Sequence, residues 1–162
     1  MTIQQLAYIG LGSNLSNPRE KITQAIAAIN RIPESKVTKV SSLYLSKPMG
    51  PQDQDDYINA VLALSTNLSA MVLLDALQAI ENNAGRVRKN NRWGARVLDC
   101  DILLFGNQKI LNSRLTVPHY GLKHREFVLL PLAEISHKLC LPDGSYVDDL
   151  AKNINCNGIV KL

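Results

Sequence analysis

Cysteine is scarce in this 162-residue chain, and its three copies exclude two kinds of protein. Cys100, Cys140 and Cys156 are odd in number and far apart. They make neither a disulfide framework nor the paired spacing of a zinc or dithiol redox site, and buried or free thiols are expected. No uninterrupted apolar run approaches the ~20 residues needed to cross a bilayer, which excludes a helical membrane protein. The stretch MTIQQLAYIG has no basic segment leading into an apolar core and a cleavage site, so a cytoplasmic location is expected. Internal repeats, low-complexity tracts and Pro/Gly-rich linkers are absent too. One domain over residues 1–162 is therefore expected. Aromatic residues make up only 5% and are mostly not interleaved with basic ones, which argues against a single-strand nucleic-acid-binding module.

What is present is an ordinary globular composition, 46% hydrophobic and 20% charged, enough to bury a sizeable core. The net charge of +4 is concentrated in one place. Arg86, Arg88, Lys89, Arg92 and Arg96 fall in a run without an acid, and subtracting those five from the total leaves −1. A local anion site fits that distribution better than a basic face laid along nucleic acid.

The basic run leads into an apolar stretch carrying Asp99 and Asp101. Strand side chains alternate between faces, so the two carboxylates share one side and Cys100 takes the other. Paired carboxylates repel unless a cation sits between them, and Mg²⁺ commonly takes one or two carboxylates plus phosphate oxygens and water. Guanidinium groups would hold the phosphate oxygens that the metal does not reach. A solvated basic loop beside an acidic edge strand is the plainer alternative.

Around this segment the element order reads β-α-β-β-α-β. Leu6–Leu11 is expected as a buried strand. The first helix opens at Asn17 with Pro18 at its first position and Glu20 placed as in a capping box, and Pro33 ends it. Val37–Leu45 alternates as a strand, followed by a Ser46–Asp56 loop. Tyr57–Leu64 is a third strand, with Tyr57, Asn59, Val61 and Ala63 on one face. A second helix is capped by Ser69, buries Leu73, Leu77, Ile80 and Ala84, and stops at Gly85. Val97–Phe105 is the fourth strand, and Gly106-Asn107 signals a hairpin into Gln108–Leu111. Phe127–Ile135 is a short apolar helix or strand interrupted by Pro131. The fold class expected is α+β: a ferredoxin-like sandwich with a C-terminal extension. Both helices cover one sheet face, and the basic loop and the Ser46–Asp56 loop cover the other.

Gly10-Leu11-Gly12 after a strand invites a dinucleotide-binding reading, but position 15 is Leu15 and no third glycine follows, so that reading is rejected. The glycines instead let the backbone turn or leave room for a planar ligand. Trp93, the only tryptophan, stands in the basic loop as an anchor or a stacking surface. Tyr57 and Asn59 could offer a ring and an amide to one ligand. His119 and Tyr120, with Arg125 close behind, form a group of phosphate-binding residue types. His124 and His137 have no such company and read as surface residues.

Several runs together resemble the 6-hydroxymethyl-7,8-dihydropterin pyrophosphokinase family of folate biosynthesis. They are Gly12-Ser13-Asn14-Leu15, Pro48-Met49-Gly50-Pro51-Gln52-Asp53-Gln54 and Asp56-Tyr57-Ile58-Asn59-Ala60. Further on come Gly85-Arg86-Val87-Arg88, Arg92-Trp93-Gly94, Arg96-Val97-Leu98-Asp99-Cys100-Asp101-Ile102 and Leu115-Thr116-Val117-Pro118-His119-Tyr120. The resemblance runs in unbroken order from about Tyr8 to Gly144. It implies a three-layer sandwich and transfer of pyrophosphate from ATP to the pterin hydroxymethyl group, with release of AMP. It also implies two Mg²⁺ ions on Asp99 and Asp101.

By matching position, Arg86 and Arg96 would act catalytically on the transferring phosphates beside Asp99 and Asp101, and Arg88 would organise the loop. His119, Tyr120 and Arg125 would hold ATP phosphates, with Gln78, Ile102, Arg114 and Thr116 around the nucleotide. Tyr57 and Phe127 would stack the pterin, while Asn59 and backbone groups near Ser46 and Met49 would read its edge. Trp93 would close over both substrates. Glu81 would orient the Arg86 region. The resemblance implies ATP and the pterin as partners, and a monomer that needs neither nucleic acid nor membrane is expected. The family often has Thr and Pro where this chain has Ser46 and Lys47, and an aliphatic residue at Cys100. A non-catalytic pterin- or nucleotide-binding regulator is the alternative, and the metal pair speaks against it.

Overall fold

The computed structural model describes residues 4–15, 17–48, 54–85 and 97–162. Strand β1 (Gln5–Ser13) is an interior strand of the sheet in a mixed α+β arrangement. It pairs antiparallel with β4 (Tyr57–Thr66) on one side and β5 (Asp99–Phe105) on the other. Beyond β4 the sheet continues through β3 (Tyr44–Ser46), and β2 (Ser35–Val40) pairs with the other end of β4. Two residues near the C-terminus, β8 (Val160–Lys161), close the far edge against β3.

Strand alternation divides the core in two. On one face Ala7, Ile9 and Leu11 of β1, with Leu62 and Leu64 of β4 and Cys100 and Ile102 of β5, pack against two helices. These are α1 (Pro18–Asn30), through Ile22, Ala25 and Ile29, and α2 (Ala70–Asn83), through Leu73 and Leu77. On the other face Tyr8, Val61, Ala63 and Leu103 meet α3 (Glu126–Ile135) and Val147, the first residue of α4 (Val147–Asn153). Helices therefore cover both faces. This corrects the expectation that loops alone close the second one: a stretch of mostly apolar residues, carrying Pro131, forms a helix that buries Val128, Leu129, Leu132 and Ile135. No described helix is long and apolar enough to cross a membrane.

Local signals were met unevenly. Ser69 caps α2 by accepting from Val72 N–H at 3.3 Å, and Gly85 follows the helix at φ +98°. At α1, Pro18 is the first helical residue, but Asn17 makes no side-chain cap and sits at φ +62°. Glu20 accepts from the Gln24 amide at 3.1 Å, so the capping box does not form. The strand expected over Val37–Leu45 is broken at residues 41–43. There the Ser41 hydroxyl takes the Val61 N–H at 2.9 Å, and Ser42 turns out to meet α3. The fourth strand starts at Asp99 rather than Val97. Residues after Gly106-Asn107 do not fold back on it. Instead β6 (Ile110–Leu111) pairs with β7 (Thr116–Val117) as a separate ribbon.

The contact between Ser42 and α3 is made by Glu134. Its carboxylate accepts from Ser42 N–H at 2.9 Å, Ser42 hydroxyl at 3.0 Å and Tyr44 phenol at 2.6 Å. Burial pushes the Glu134 carboxyl up, but these bonds outweigh it and hold it below its ordinary value. The same contact, after burial, raises the Tyr44 phenol far above its usual range. A group whose folded pKa is depressed stabilises the fold above its unfolded pKa and loses that contribution as pH falls through the folded value. Glu134→Gln is expected to cost about 1 kcal/mol at pH 7 and progressively less in acid. Thermal melting across pH checks this, and a difference independent of pH would contradict it.

Candidate active site

The cavity sits on the second face of the sheet, beside the N-terminal end of α3. Its volume is about 310 Å³, and residues from β1, β3, β4, β5, α3 and the segment before α3 line it. Its floor is β1, where Gly10 and Gly12 carry no side chain. A Cβ on Gly12 would come 3.3 Å from Asn59 Oδ1 and 3.8 Å from the Tyr57 ring, and one on Gly10 would press on Leu103 at 3.3 Å. The glycines thus keep the floor flat, which matches the reading of room for a planar ligand and not of a dinucleotide fingerprint.

One end of the cavity suits a flat heterocycle. Tyr57 and Asn59 project from β4, Ser46 stands across the β3–β4 ladder, and Phe127 enters from α3. Asn59 is 4% exposed, and its amide donates to the Ser46 hydroxyl at 2.6 Å. That bond fixes the plane of the amide beside the glycine floor. Lys47 also lines the space, although the sequence marked it only as a departure from the family pattern.

The other end is charged. Asp99 and Asp101 face the cavity from β5, while Cys100 between them is buried among the residues of α1 and α2. Opposite them lie His119, Tyr120 and Arg125. Gly121 N–H donates to His119 Nδ1 at 3.0 Å, which leaves the ring proton on Nε2, 3.9 Å from Asp101 Oδ2. Burial, helped by the Arg125 guanidinium, pulls the His119 pKa down to about 4. The neutral ring stacks on Tyr120 with centroids 4.5 Å apart. Arg125 donates to the Tyr120 hydroxyl at 3.3 Å and lies 5.0 Å and 5.8 Å from the Tyr120 and Phe127 rings. A guanidinium held this way joins the charged end to the aromatic end.

Among the described residues no group of three or more His, Cys, Asp or Glu forms a ready-made metal cage. The donor set is two carboxylates on one strand face, opening on a cavity with cationic and hydrogen-bonding groups opposite. Hard oxygen donors in that number suit a cation that draws its remaining ligands from water and phosphate.

The remaining expected site residues lie elsewhere. Arg114 donates to Asp75 at 2.6 Å and to Gln78 at 3.1 Å, forming a cluster between α2 and the β6–β7 ribbon. Thr116 is exposed on β7. Ile102 is buried on the opposite sheet face. None of these four lines the cavity. Glu81, expected to orient the Arg86 region, is 5% exposed and accepts from Cys100 N–H at 2.8 Å, holding β5 between its two aspartates. Met49, Arg86, Arg88, Trp93 and Arg96 lie outside the described residues.

A sequence profile of the 7,8-dihydro-6-hydroxymethylpterin-pyrophosphokinase family matches residues 8–137. The chain is 51% identical over 156 residues to 2-amino-4-hydroxy-6-hydroxymethyldihydropteridine pyrophosphokinase of Haemophilus influenzae, covering 96% of this chain and 97% of that protein. It is also 51% identical to the protein of the same name from Pseudomonas aeruginosa, over 98% and 97% of the two chains. Among solved structures it is similar in fold to Plasmodium falciparum HPPK-DHPS with pteroate. The TM-score there is 0.72 at 13% identity, over 93% of this chain and 42% of that one.

Proposed function

The chain belongs to the 7,8-dihydro-6-hydroxymethylpterin-pyrophosphokinase family, and from that premise we propose how its cavity divides the work. The reaction transfers pyrophosphate from ATP to 6-hydroxymethyl-7,8-dihydropterin in folate biosynthesis. The pterin hydroxymethyl oxygen forms a bond to the β-phosphorus of ATP. The bond from that phosphorus to the α,β-bridging oxygen breaks and AMP leaves with the oxygen, while the hydroxymethyl O–H bond breaks and its proton passes to solvent.

The single observation that carries the reading is one cavity with an aromatic, amide-bearing end and a carboxylate- and guanidinium-bearing end. The pterin belongs at the first, stacked between Tyr57 and Phe127 with its edge against Asn59 and the backbone near Ser46. The triphosphate belongs at the second. There the His119 Nε2–H and Tyr120 hydroxyl offer neutral hydrogen bonds and Arg125 a charge-assisted one. Because His119 is neutral, it orients phosphate oxygens without adding charge, and Arg125 supplies that. Asp99 and Asp101 would hold Mg²⁺, as two ions on the family pattern, and bound there Mg²⁺ would neutralise charge on the phosphates. The protein's own part is positioning: two reactants fixed at the ends of one short cavity have little freedom left to lose.

Arg86, Arg88, Trp93 and Arg96 remain the proposed cover and phosphate grip, and Gln78, Ile102, Arg114 and Thr116 the proposed nucleotide surroundings. The strand order β5-β1-β4-β3, with α1 and α2 joining its members, supports a ferredoxin-like reading of one domain over 1–162. A monomer acting without nucleic acid is proposed with it.

Mn²⁺ tests the metal assignment directly through its electron paramagnetic resonance. Wild-type protein is expected to broaden the Mn²⁺ signal beyond what a non-hydrolysable ATP analogue alone produces, and the Asp99→Asn/Asp101→Asn variant to add nothing beyond the analogue alone. Equal broadening by both proteins would overturn the assignment.

A further inference from the structure

In the run Gly12-Ser13-Asn14, Gly12 belongs to the cavity floor, whereas Ser13 and Asn14 do not line the cavity. Their place in the sheet suggests another role. The β1 ladder ends here on both sides: Gly12 is in register with Asp99 of β5, and Ser13 with Ile58 of β4. Past these rungs, side chains continue the links that the backbone has dropped. The Ser13 hydroxyl donates to the Val97 carbonyl at 2.5 Å, two residues before Asp99. The Asn14 amide donates to the Asp55 carbonyl at 3.0 Å, two residues before Tyr57, and to Gln54 Oε1 at 2.8 Å. Ser13 is fully buried and Asn14 is 1% exposed, so neither bond competes with bulk water.

We propose that Ser13 and Asn14 are positioning residues that divide the two ends of the cavity between them. Ser13 sets the approach of the strand that presents Asp99 and Asp101. Asn14 sets the approach of the strand that presents Tyr57 and Asn59. The proposal rests on the roles given above to those four residues.

Each bond acts on the first turn of chain before a functional side chain, where no backbone ladder to β1 holds it. Losing a buried hydrogen bond there lets that side chain drift, and drift of about 1 Å in a site residue is costly. The two effects are separable because Val97 and Asp55 lead into different strands, β5 and β4, on opposite sides of β1. A role confined to folding would weaken both ends together.

The test uses Ser13→Ala and Asn14→Ala with three readouts: Mn²⁺ binding in the presence of a non-hydrolysable ATP analogue, equilibrium pterin binding, and steady-state kinetics. Ser13→Ala is expected to weaken Mn²⁺ binding and lower kcat by about tenfold each, with pterin affinity within about twofold of wild type. Asn14→Ala is expected to weaken pterin binding about tenfold, with Mn²⁺ affinity within about twofold. Ser13→Cys and Asn14→Ser keep a weaker or shorter donor and should show the same split at smaller size. They also carry the test if an alanine variant does not fold. Parallel losses in both affinities, or none in either, would overturn the proposal. Wild-type protein assayed alongside for AMP formation separates a failure of the proposal from a failure of the reaction assignment.

Discussion

Asp101→Ala is expected to lower kcat by about three orders of magnitude, with pterin affinity changed by less than about threefold. The split follows from where Asp101 sits. It faces His119 across the charged end of the cavity, with Nε2 and Oδ2 3.9 Å apart. The proposed pterin contacts come from β3, β4 and α3. Removing this carboxylate takes away one of two oxygen donors that would hold the cation, and no group of three acidic, histidine or cysteine residues among those described could replace it. Charge on the phosphates then goes uncompensated in the transition state, where neutralisation by a metal is worth several kcal/mol. Single-turnover rates and equilibrium pterin binding on the same preparation check both halves. Near-normal turnover would remove Asp101 from the metal assignment, and a matching loss of pterin affinity would mean that the two ends are not separate.

Asn59→Leu should show the reverse pattern. Pterin affinity is expected to fall by about a hundredfold, while single-turnover rates at saturating pterin stay within about tenfold. Leucine nearly conserves volume at a position that is 4% exposed, so the loss comes from chemistry and not from a collapsed wall. The amide now held by Ser46 at 2.6 Å is proposed to meet the edge of the heterocycle, and the variant leaves both the Ser46 hydroxyl and the ligand's polar edge unpaired in a dry site. Pterin titration monitored by fluorescence, with a parallel ATP titration as control, measures it. Unchanged pterin affinity would move the pterin to another part of the cavity.

Which of these features could be read from sequence depends on the range of the interaction. The alternation Asp99-Cys100-Asp101 was legible because strand geometry alone sends neighbours to opposite faces, and the structure puts the aspartates in the cavity and the cysteine in the core. The same logic set Tyr57 and Asn59 beside Val61 and Ala63 on one face. By contrast, the break between β2 and β3 needs the Ser41 hydroxyl to reach Val61 and Glu134 to reach Ser42, and no local pattern announces either contact. Phe127–Ile135 is apolar with little periodicity and carries a proline, so neither the period of a helix nor that of a strand stood out, and its cover of the second face stayed hidden. Residues from Asp148 on show no clear helical or strand period, yet they supply most of α4 and the edge strand β8. His119, Tyr120 and Arg125 were singled out by residue type, and their meeting with Asp101 depends on a fold that packs distant segments together. The link from Arg114 to Asp75 and Gln78 is of the same long-range kind.

The central claim is that this cavity joins the hydroxymethyl oxygen of the pterin to the β-phosphorus of ATP. The most direct measurement mixes the wild-type protein with ATP, Mg²⁺ and 6-hydroxymethyl-7,8-dihydropterin and separates the products by chromatography. AMP and pterin diphosphate appearing in equal amounts is the predicted result. ADP in place of AMP would mean attack at the γ-phosphorus and a different seating of the triphosphate, and pterin bound without turnover would mean a binding protein; either would contradict the account.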